Sequence, residues 1–534
     1  MYAGMERLDA TPEELDSIVE RARPALEEME HQKLKAAIRT LGVVNTLIQN
    51  QDTTIESLRN FLYASQTEKT TAVLKRSGID LGIPPKEPKP KPPGHGRHGA
   101  KAYRGAHKIP VPHATLKSGD GCPDCQRGKI YLQREPGVLV RLIGQAPLDA
   151  TVYQLEKLRC NLCGEIFTAK APDQAGDEKY DPTAVSMIAI LRYGGGFPMT
   201  RLEKLEQSLG IPLPASIQWE IVCAMAVRIK PVFDELIRQA AQGSVLHNDD
   251  TSMTVLSLRQ QIQDEADEPG RTGIFTSGIV STRDGRHIAL FFTGRQHAGE
   301  NLAIILAKRV TALEPPIQMC DALARNLPKM PETLAVIVSH CLAHARRRFV
   351  EVTPNFPAAC RHVLEALGKV YHHDALAHQQ KLSANQRLLY HQQHSGPVMD
   401  QLRQWLSVQL EEKKVEPNSG LGGAVGYLLK YWVRLTLFLR QPGAPLDNNV
   451  CERILKKAIL HRKNSLFYKT ERGAEVGDLF MSLIHTAELC GANPFDYLTQ
   501  LQRHADELEH RPQDWMPWNY LDTLDQASPA ADTG

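Results

Sequence analysis

The sequence predicts a multidomain α+β protein whose central part is a mixed sheet flanked by helices. Three observations predict this class: 534 residues exceed what one core of ordinary size uses, six short β-rich segments lie close together, and helical patterning continues on both sides of them. The β-rich segments are residues 244–250, 253–258, 273–282, 287–294, 317–321 and 334–340, with a helical segment at 301–313. Three consecutive strands followed by alternating helix and strand favour a mixed sheet.

Composition narrows the class of protein further. Hydrophobic content of 42% and charged content of 23% are ordinary for a globular protein. No apolar run is long enough to span a bilayer, and the first residues lack the apolar stretch of a secretory signal, so we expect a cytoplasmic protein with no membrane association. The ten cysteines should then stay reduced, and close pairs are better interpreted as metal ligands than as disulfides.

Residues 1–75 form a predicted helical region with a heptad repeat. Apolar residues recur every seven positions at Leu34, Leu41, Ile48, Ile55 and Leu62. This spacing predicts a short coiled coil, and with it a homodimer or higher oligomer. An amphipathic helix packed on its own protein is the alternative.

Residues 76–117 form a predicted basic, proline-rich linker. Eleven Lys or Arg stand against two acids between Lys69 and Lys117, and six prolines fall within residues 84–93. Such a segment cannot bury a core, and its charge attracts phosphates without reading a base sequence. A solvated spacer is the alternative.

Residues 118–172 form a predicted zinc-ribbon-like module. Two CxxC pairs, Cys122 with Cys125 and Cys160 with Cys163, are separated by 34 residues rich in β-formers. Four thiolates in this pairing suit one tetrahedral Zn²⁺, and a site with no open ligand position is structural. We expect the module to need zinc for folding; free structural cysteines are the alternative.

Residues 173–241 are predicted to be helical. Two amphipathic segments joined through Gly210 fit a helix-turn-helix that binds DNA, although hairpins of this kind are also common in proteins that never touch DNA.

Carboxylates at the ends of predicted elements are the candidates for catalysis. Asp249 and Asp250 end the first strand, Asp321 ends the fifth segment 72 positions after Asp249, and Glu452 lies in the first turn of a predicted helix. Three carboxylates on two strand ends and one helix can hold two Mg²⁺ or Mn²⁺ ions about 4 Å apart for phosphodiester chemistry. Each acid also has a local interpretation as a strand stop, a turn residue or, for Asn449 with Glu452, a capping box.

Basic residues accompany two of these positions. We expect them to bind DNA phosphates, with a solvated helix face as the alternative. They are Arg346, Arg347 and Arg348 in HCLAHARRRF, and Lys456, Lys457, Arg462 and Lys463 after Glu452. In the first group Cys341 and His344 also have ligand-like spacing, but no second pair of ligands stands nearby in the sequence, so contact with DNA is the favoured interpretation.

These motifs together resemble the insertion-sequence 66 family of bacterial transposases. The similarity extends from YASQTEK at 63–69 through both CxxC pairs, HNDDTSMTVL, QMCDALARN, CLAHARRRF and DNNVCERILKKAILHRKNSLF to GANPFDYL at 491–498. The resemblance implies a ribonuclease-H-like catalytic domain with an Asp-Asp-Glu triad, a zinc-binding segment before it and a helical insertion before the Glu. It places Asp249, Asp321 and Glu452 in the triad, with Asp250 where the family usually has Glu and Ala322-Leu323 where it often has Gly-Tyr.

The resulting prediction is a cytoplasmic, nucleoid-associated DNA transposase that binds terminal inverted repeats, cleaves at the element ends and joins them to target DNA, with possible accessory proteins. The predicted catalytic domain comprises residues 242–340 and 441–500, with a helical insertion at 341–440 and a tail at 501–534. A DNA-binding regulator without catalysis and a ribonuclease-H-like nuclease without joining activity are the alternatives.

Overall fold

The structure is a computed structural model that describes residues 18–21, 31, 32, 34, 69–77, 108–133, 139–141, 145–163, 165–176, 178–265, 271–330 and 335–527. The chain divides into two compact units, Met1–Arg76 and Ser77–Gly534. In the first unit helix α1, Thr70–Arg76, buries Val73 and Leu74. Leu34 is helical, whereas the other heptad positions and residues 78–107 of the basic linker lie outside the described residues.

The second unit contains a small hairpin followed by a large α+β region. The hairpin consists of β1 (Lys157–Arg159) and β2 (Ile166–Thr168). The elements that follow are α2 (Pro182–Ala189), α3 (Met199–Ser208), α4 (Ala215–Ala240), β3 (Val245–Ser252), α5 (Leu256–Asp264), β4 (Phe275–Arg283), β5 (Arg286–Gly294), α6 (Ala298–Leu306), β6 (Ile317–Cys320), β7 (Ile337–His340), α7 (Leu342–Val352), α8 (Pro357–Gln379), α9 (Ala384–His394), α10 (Gly396–Glu411), α11 (Gly420–Lys430), α12 (Trp432–Leu435), α13 (Asn449–Ser465), α14 (Glu471–Leu489), α15 (Pro494–Arg503), α16 (Ala505–Leu508) and α17 (Tyr520–Ala527).

The central sheet has five strands in the order β5-β4-β3-β6-β7. Strands β3, β4 and β5 pair antiparallel, while β6 and β7 run parallel to β3, which confirms the predicted mixed sheet. The prediction of a strand at 253–258 was wrong, because α5 begins at Leu256 and only Val255 forms an isolated bridge. Leu258 and Ile262 are four positions apart and lie on one face of this helix. This helical spacing of apolar residues outweighs the short alternating pattern that had indicated a strand.

Helix α14 covers the edge of the sheet at β5. The backbone N–H groups of Ala289, Phe291 and Thr293 donate to side-chain oxygens of Thr486, Ser482 and Asp478, at 3.0, 3.0 and 2.6 Å. The three acceptors are four residues apart along α14, so one polar stripe satisfies the outward donors of an edge strand.

The helices on either side of the sheet share one hydrophobic core with it. This core includes Ile229 of α4, Leu246 of β3 and Phe480 of α14. Residues 501–534 were expected to form a tail, yet α16 and α17 pack on the same core, and Trp515 between them is fully buried. Burial of a large aromatic side chain explains why this segment is ordered.

Residues 341–440, predicted as a helical insertion, form α7 to α12 without a strand. Helix α12 lies against β7, and the Ser339 hydroxyl donates to the Arg434 carbonyl oxygen at 3.4 Å. The insertion therefore stands beside the parallel half of the sheet.

Candidate active site

Asp249 and Asp321 lie side by side at the ends of neighbouring parallel strands. His247 of β3 is in register with Met319 of β6. Asp249 and Asp321 each follow two residues later, so both aspartate side chains point to the same face of the sheet. The Asn326 amide nitrogen donates to both carboxylates, at 2.5 Å to Asp321 Oδ1 and 3.4 Å to Asp249 Oδ1. One neutral donor thus joins two acids.

The electrostatics of this pair fit a divalent cation. The pKa of Asp249 is raised to about 6, chiefly by burial and in smaller part by the nearby charges of Asp321 and Asp250. A single amide offers no positive charge to offset two carboxylates, whereas a divalent cation bound by carboxylate oxygens would. The donor set therefore suits Mg²⁺ or Mn²⁺.

Asp250 faces the other way, because successive residues of a strand alternate between the two faces of the sheet. Its side chain is only 1% exposed and contacts His297 Nδ1 at 2.9 Å and Arg325 at 3.5 Å. Asp250 is therefore held by an imidazole and a guanidinium, while Asp249 shares its face with Asp321.

Glu452 lies in the first turn of α13, which packs closely on β4. The preceding Cys451 donates its thiol to the Gly278 carbonyl at 3.3 Å, and Gly278 is the residue of β4 that pairs with Asp249. A side chain at Gly278 would lie 2.9 Å from Leu455 of α13, so glycine permits this approach. The helix start that carries Glu452 is thereby fixed next to Asp249.

The Glu452 carboxylate is directed toward α7. Its Oε1 lies 3.8 Å from His344 Nδ1 and its Oε2 lies 3.9 Å from Arg347. Among the described residues, Cys341, His344 and Glu452 alone form a group of three possible ligands whose atoms all lie within 4.8 Å of one another. The carboxylate oxygens of Asp249, Asp321 and Glu452 do not all lie within 4.8 Å of one another, although the three residues occupy one end of the sheet.

Asn448 joins the elements of the site. Its side chain contacts His247 Nδ1 at 3.1 Å and donates to the Asn248 carbonyl at 3.1 Å, and its backbone N–H donates to the Cys341 sulfur at 3.3 Å. This fully buried residue thus connects the end of β3, the start of α7 and the start of α13.

An open cavity of about 590 Å³ adjoins Asp321. Its walls combine acidic, basic and aromatic side chains from the end of β6, α7 and α11, namely Asp321, His344, Arg347, Tyr427, Lys430 and Tyr431. Arg348 lies over the Tyr427 ring, 4.0 Å from its centre, and Tyr427 packs edge-on against Tyr431. A basic and aromatic wall of this kind suits a nucleic acid strand.

The predicted DNA-binding residues differ in their surroundings. Arg347 and Arg348 line the cavity. Arg462 instead contacts the end of β3, with its guanidinium donating to the Ser252 hydroxyl at 2.7 Å, and Lys457 lies 3.5 Å from Glu488. Arg346 is half-buried on α7, whereas Lys456 and Lys463 are exposed on α13.

The two CxxC pairs form separate turns. The Cys122 N–H donates to the Gly128 carbonyl at 2.7 Å, and the Cys160 N–H donates to the Glu165 carbonyl at 2.8 Å. Among the described residues, no three of the four cysteines place their sulfurs within 4.8 Å of one another. The structure shows each turn but does not bring the four thiols together.

Sequence reasoning missed Asn326, Asn448 and the wall formed by Tyr427. Both asparagines lie in motifs that the sequence analysis quoted for their acids, Asn326 in QMCDALARN and Asn448 in DNNVCERILKK, but only the fold shows what each amide connects. The DNN sequence before Glu452 was a usable signal for Asn448, because a buried amide at a helix start commonly bonds the backbone.

The fold and the site define a class of protein: an α+β protein with paired acids at adjacent strand ends and a third acid on a helix beside them. Comparison with known sequences specifies the family. The model of the family described as "Transposase IS66 family" matches residues 178–476, which is 299 of the 534 residues. The chain belongs to the IS66 family of transposases, so it is related to enzymes that cut and join DNA and that depend on divalent metal ions.

Relatives from Sinorhizobium fredii (strain NBRC 101917 / NGR234) are similar over most of the chain. The uncharacterized protein y4hP is 26% identical over 397 residues, covering 68% of this chain and 67% of that protein. The uncharacterized protein y4jD is 27% identical over 400 residues, covering 70% and 72%, and y4qI is 23% identical over 358 residues, covering 63% and 62%. Among the described residues, no helix is long and apolar enough to cross a membrane.

Proposed function

We propose that this chain is an Asp-Asp-Glu transposase that binds the terminal inverted repeats of its element, cleaves at the ends and transfers the freed 3′-hydroxyls to target DNA. One observation carries the proposal: Asp249 and Asp321 share the Asn326 amide at adjacent strand ends, beside the helix start that bears Glu452. The strand order, with three antiparallel strands followed by two parallel ones, supports a ribonuclease-H-like catalytic domain.

Asp249, Asp321 and Glu452 would hold the divalent ions, which when bound activate the attacking oxygen and stabilise the leaving oxygen. In the first step an oxygen–phosphorus bond forms from water while the bond from phosphorus to the 3′-oxygen breaks, which leaves a 3′-hydroxyl. In the second step that hydroxyl attacks a target phosphodiester and displaces its 3′-oxygen. Asn326 orients the two aspartates and Asn448 fixes the start of α13 in both steps.

The basic and aromatic wall would position the DNA. Arg347, Arg348 and Lys430 supply positive charge beside Asp321, and exposed Lys456 and Lys463 extend the basic surface along α13. Tyr427 and Tyr431 offer rings on which an unpaired base can stack. We assign recognition of the ends to the Cys122–Cys163 zinc module and to the α3–α4 hairpin, and pairing of two ends to the N-terminal helical region.

Strand transfer in vitro tests the proposal. The substrate is a labelled duplex with the end sequence that flanks the gene for this chain, incubated with target plasmid and Mg²⁺ or Mn²⁺. We expect joined product from the wild type and none from Asp249→Asn, Asp321→Asn or Glu452→Gln. Asp250→Asn is the matched control, since that neighbour faces His297 and Arg325, and it should keep joining activity.

The outcomes separate the alternatives. Cleavage without joined product would indicate a nuclease, and end binding without any chemistry would indicate a regulator. Joining activity in Asp249→Asn together with its loss in Asp250→Asn would contradict the assignment of the first acid.

A further inference from the structure

We propose that Cys341, His344 and Glu452 form a binding site for a thiophilic transition-metal ion such as Zn²⁺ or Co²⁺, distinct from the CxxC module. The sequence offered only Cys341 and His344, three positions apart, with no second pair of ligands nearby. The fold brings Glu452 to them from 108 positions further along, and the three ligand atoms lie within 4.8 Å of one another.

Two of the three ligand atoms are directed toward each other without a hydrogen bond. His344 Nδ1 and Glu452 Oε1 are both buried atoms with no hydrogen-bond partner, and they lie 3.8 Å apart. Atoms that bind one tetrahedral zinc ion lie about 3.3–3.8 Å apart, given metal–ligand distances of about 2.0–2.3 Å. The observed separation is too long for a hydrogen bond and close to that of two ligands of one ion.

Two backbone N–H groups donate to the Cys341 sulfur and would stabilise its thiolate once a metal ion has displaced the proton. Cys341 precedes the first residue of α7, and its sulfur accepts the Asn448 N–H at 3.3 Å and the His344 N–H. Backbone donors at a helix start stabilise a thiolate, the form that binds metal. Burial raises the pKa of Cys341 to about 12, so metal binding must displace the thiol proton, which is released to solvent.

The ligand types select the metal. Thiolate and imidazole with one carboxylate suit Zn²⁺ or Co²⁺, whereas Mg²⁺ prefers oxygen ligands only. Three protein ligands leave a fourth position open, and His344 and Glu452, 25% and 21% exposed, give an ion access from the cavity beside Asp321.

This site would limit the use of Glu452 elsewhere. An ion bound by Cys341 and His344 would draw Glu452 away from the two aspartates, so Zn²⁺ would inhibit the joining of DNA ends. This consequence rests on the proposed function, whereas metal binding itself does not.

Cobalt titration of the zinc-replete full-length protein, without DNA, tests the site. Thiolate-to-cobalt charge transfer reports a sulfur ligand, and equilibrium dialysis counts bound ions. We expect the wild type to bind one more Co²⁺ per chain than Cys341→Ser, His344→Asn or Glu452→Gln, and to show additional charge-transfer intensity that all three variants lack. Difference spectra remove the signal of the CxxC module, which all of these proteins share.

Cys360→Ser is the matched control. Cys360 is also a fully buried cysteine in the same insertion, but it belongs to no ligand group, so this variant should bind cobalt as the wild type does. Thermal unfolding of each variant identifies a folding defect. If Cys341→Ser does not fold, His344→Asn still tests the site, because His344 is partly exposed. Equal binding and equal spectra in the wild type and the variants would overturn the proposal. An extra ion that Cys341→Ser retains would overturn the three-ligand set.

Discussion

Gly278 controls how closely α13 approaches the sheet, and Gly278→Ala should displace Glu452. The added Cβ would lie 2.9 Å from both Cγ and Cδ2 of Leu455, which is 0.5 Å inside the 3.4 Å lower limit of ordinary contact. Leu455 is buried and cannot rotate freely, so it must retreat together with its helix. Glu452 stands one turn earlier on the same helix and moves with it.

Two magnitudes follow from this displacement. Overpacking a buried contact costs about 1–3 kcal/mol of folding free energy. A misplacement of about 1 Å at a reacting centre can cost on the order of 10²-fold in rate, and a shift near half that size should still lower the rate clearly. We therefore expect Gly278→Ala to lose more activity than its loss of stability explains.

The assay combines urea unfolding with strand transfer under conditions in which the variant remains folded. Gly294→Ala in β5 is the control, because a Cβ there meets no atom within 4 Å. If Gly278→Ala matches Gly294→Ala in both stability and joining rate, the close contact between β4 and α13 does not position Glu452 and the reasoning fails.

Three further predictions concern stability and metal. Burial raises the pKa of Asp478 to about 7, so the folded protein keeps a proton that the unfolded chain releases, and stability should fall as pH rises from about 4 to 7. Asp478→Asn should remove this pH dependence, which is on the order of 1–4 kcal/mol in the free energy of unfolding and is measured by urea unfolding at pH 5 and pH 8. A pH profile that the substitution leaves unchanged would contradict this prediction. Asn326→Ala should lower the melting temperature, because it removes the donor shared by the two aspartates, and Mg²⁺ should restore much of that loss. Asn301→Ala, which removes a buried amide on the other face of the sheet, is the control, and its loss of melting temperature should not respond to Mg²⁺. Removal of Zn²⁺ by a chelator should expose residues 118–172 to protease while the helical core stays resistant; equal resistance of both would refute a structural zinc there.

The sequence predicted the elements whose signals are local. Five of the six strand segments were found because β-rich runs stand between polar turns, and the helices of residues 341–440 were predicted from the absence of strand signals. The segment 253–258 failed because six residues of alternating pattern do not distinguish a strand from the start of a helix. The helices after residue 501 were missed because their polar composition hides Trp515, whose burial depends on the rest of the core.

The positions of the acids in the fold were predictable from the sequence, but the side chains around them were not. Asp249 and Asp321 follow recognisable strands, so their proximity followed from the topology of a mixed sheet. Which of Asp249 and Asp250 shares a face with Asp321 depends on the register between β3 and β6, which the sequence does not contain. The approach of Glu452 to His344 joins residues 108 positions apart, and no local pattern encodes such a contact.

The most direct test of the central claim is metal rescue of Asp249→Cys. Cysteine is a poor ligand for Mg²⁺ and a better one for Mn²⁺, so a carboxylate that binds the ion shows a characteristic metal dependence when replaced. We predict that cleavage of the labelled element end by Asp249→Cys is lost in Mg²⁺ and partly restored in Mn²⁺, while the wild type is active in both. Cleavage by the variant in Mg²⁺ at the rate of the wild type would contradict a metal-binding role for Asp249 and, with it, the proposed triad.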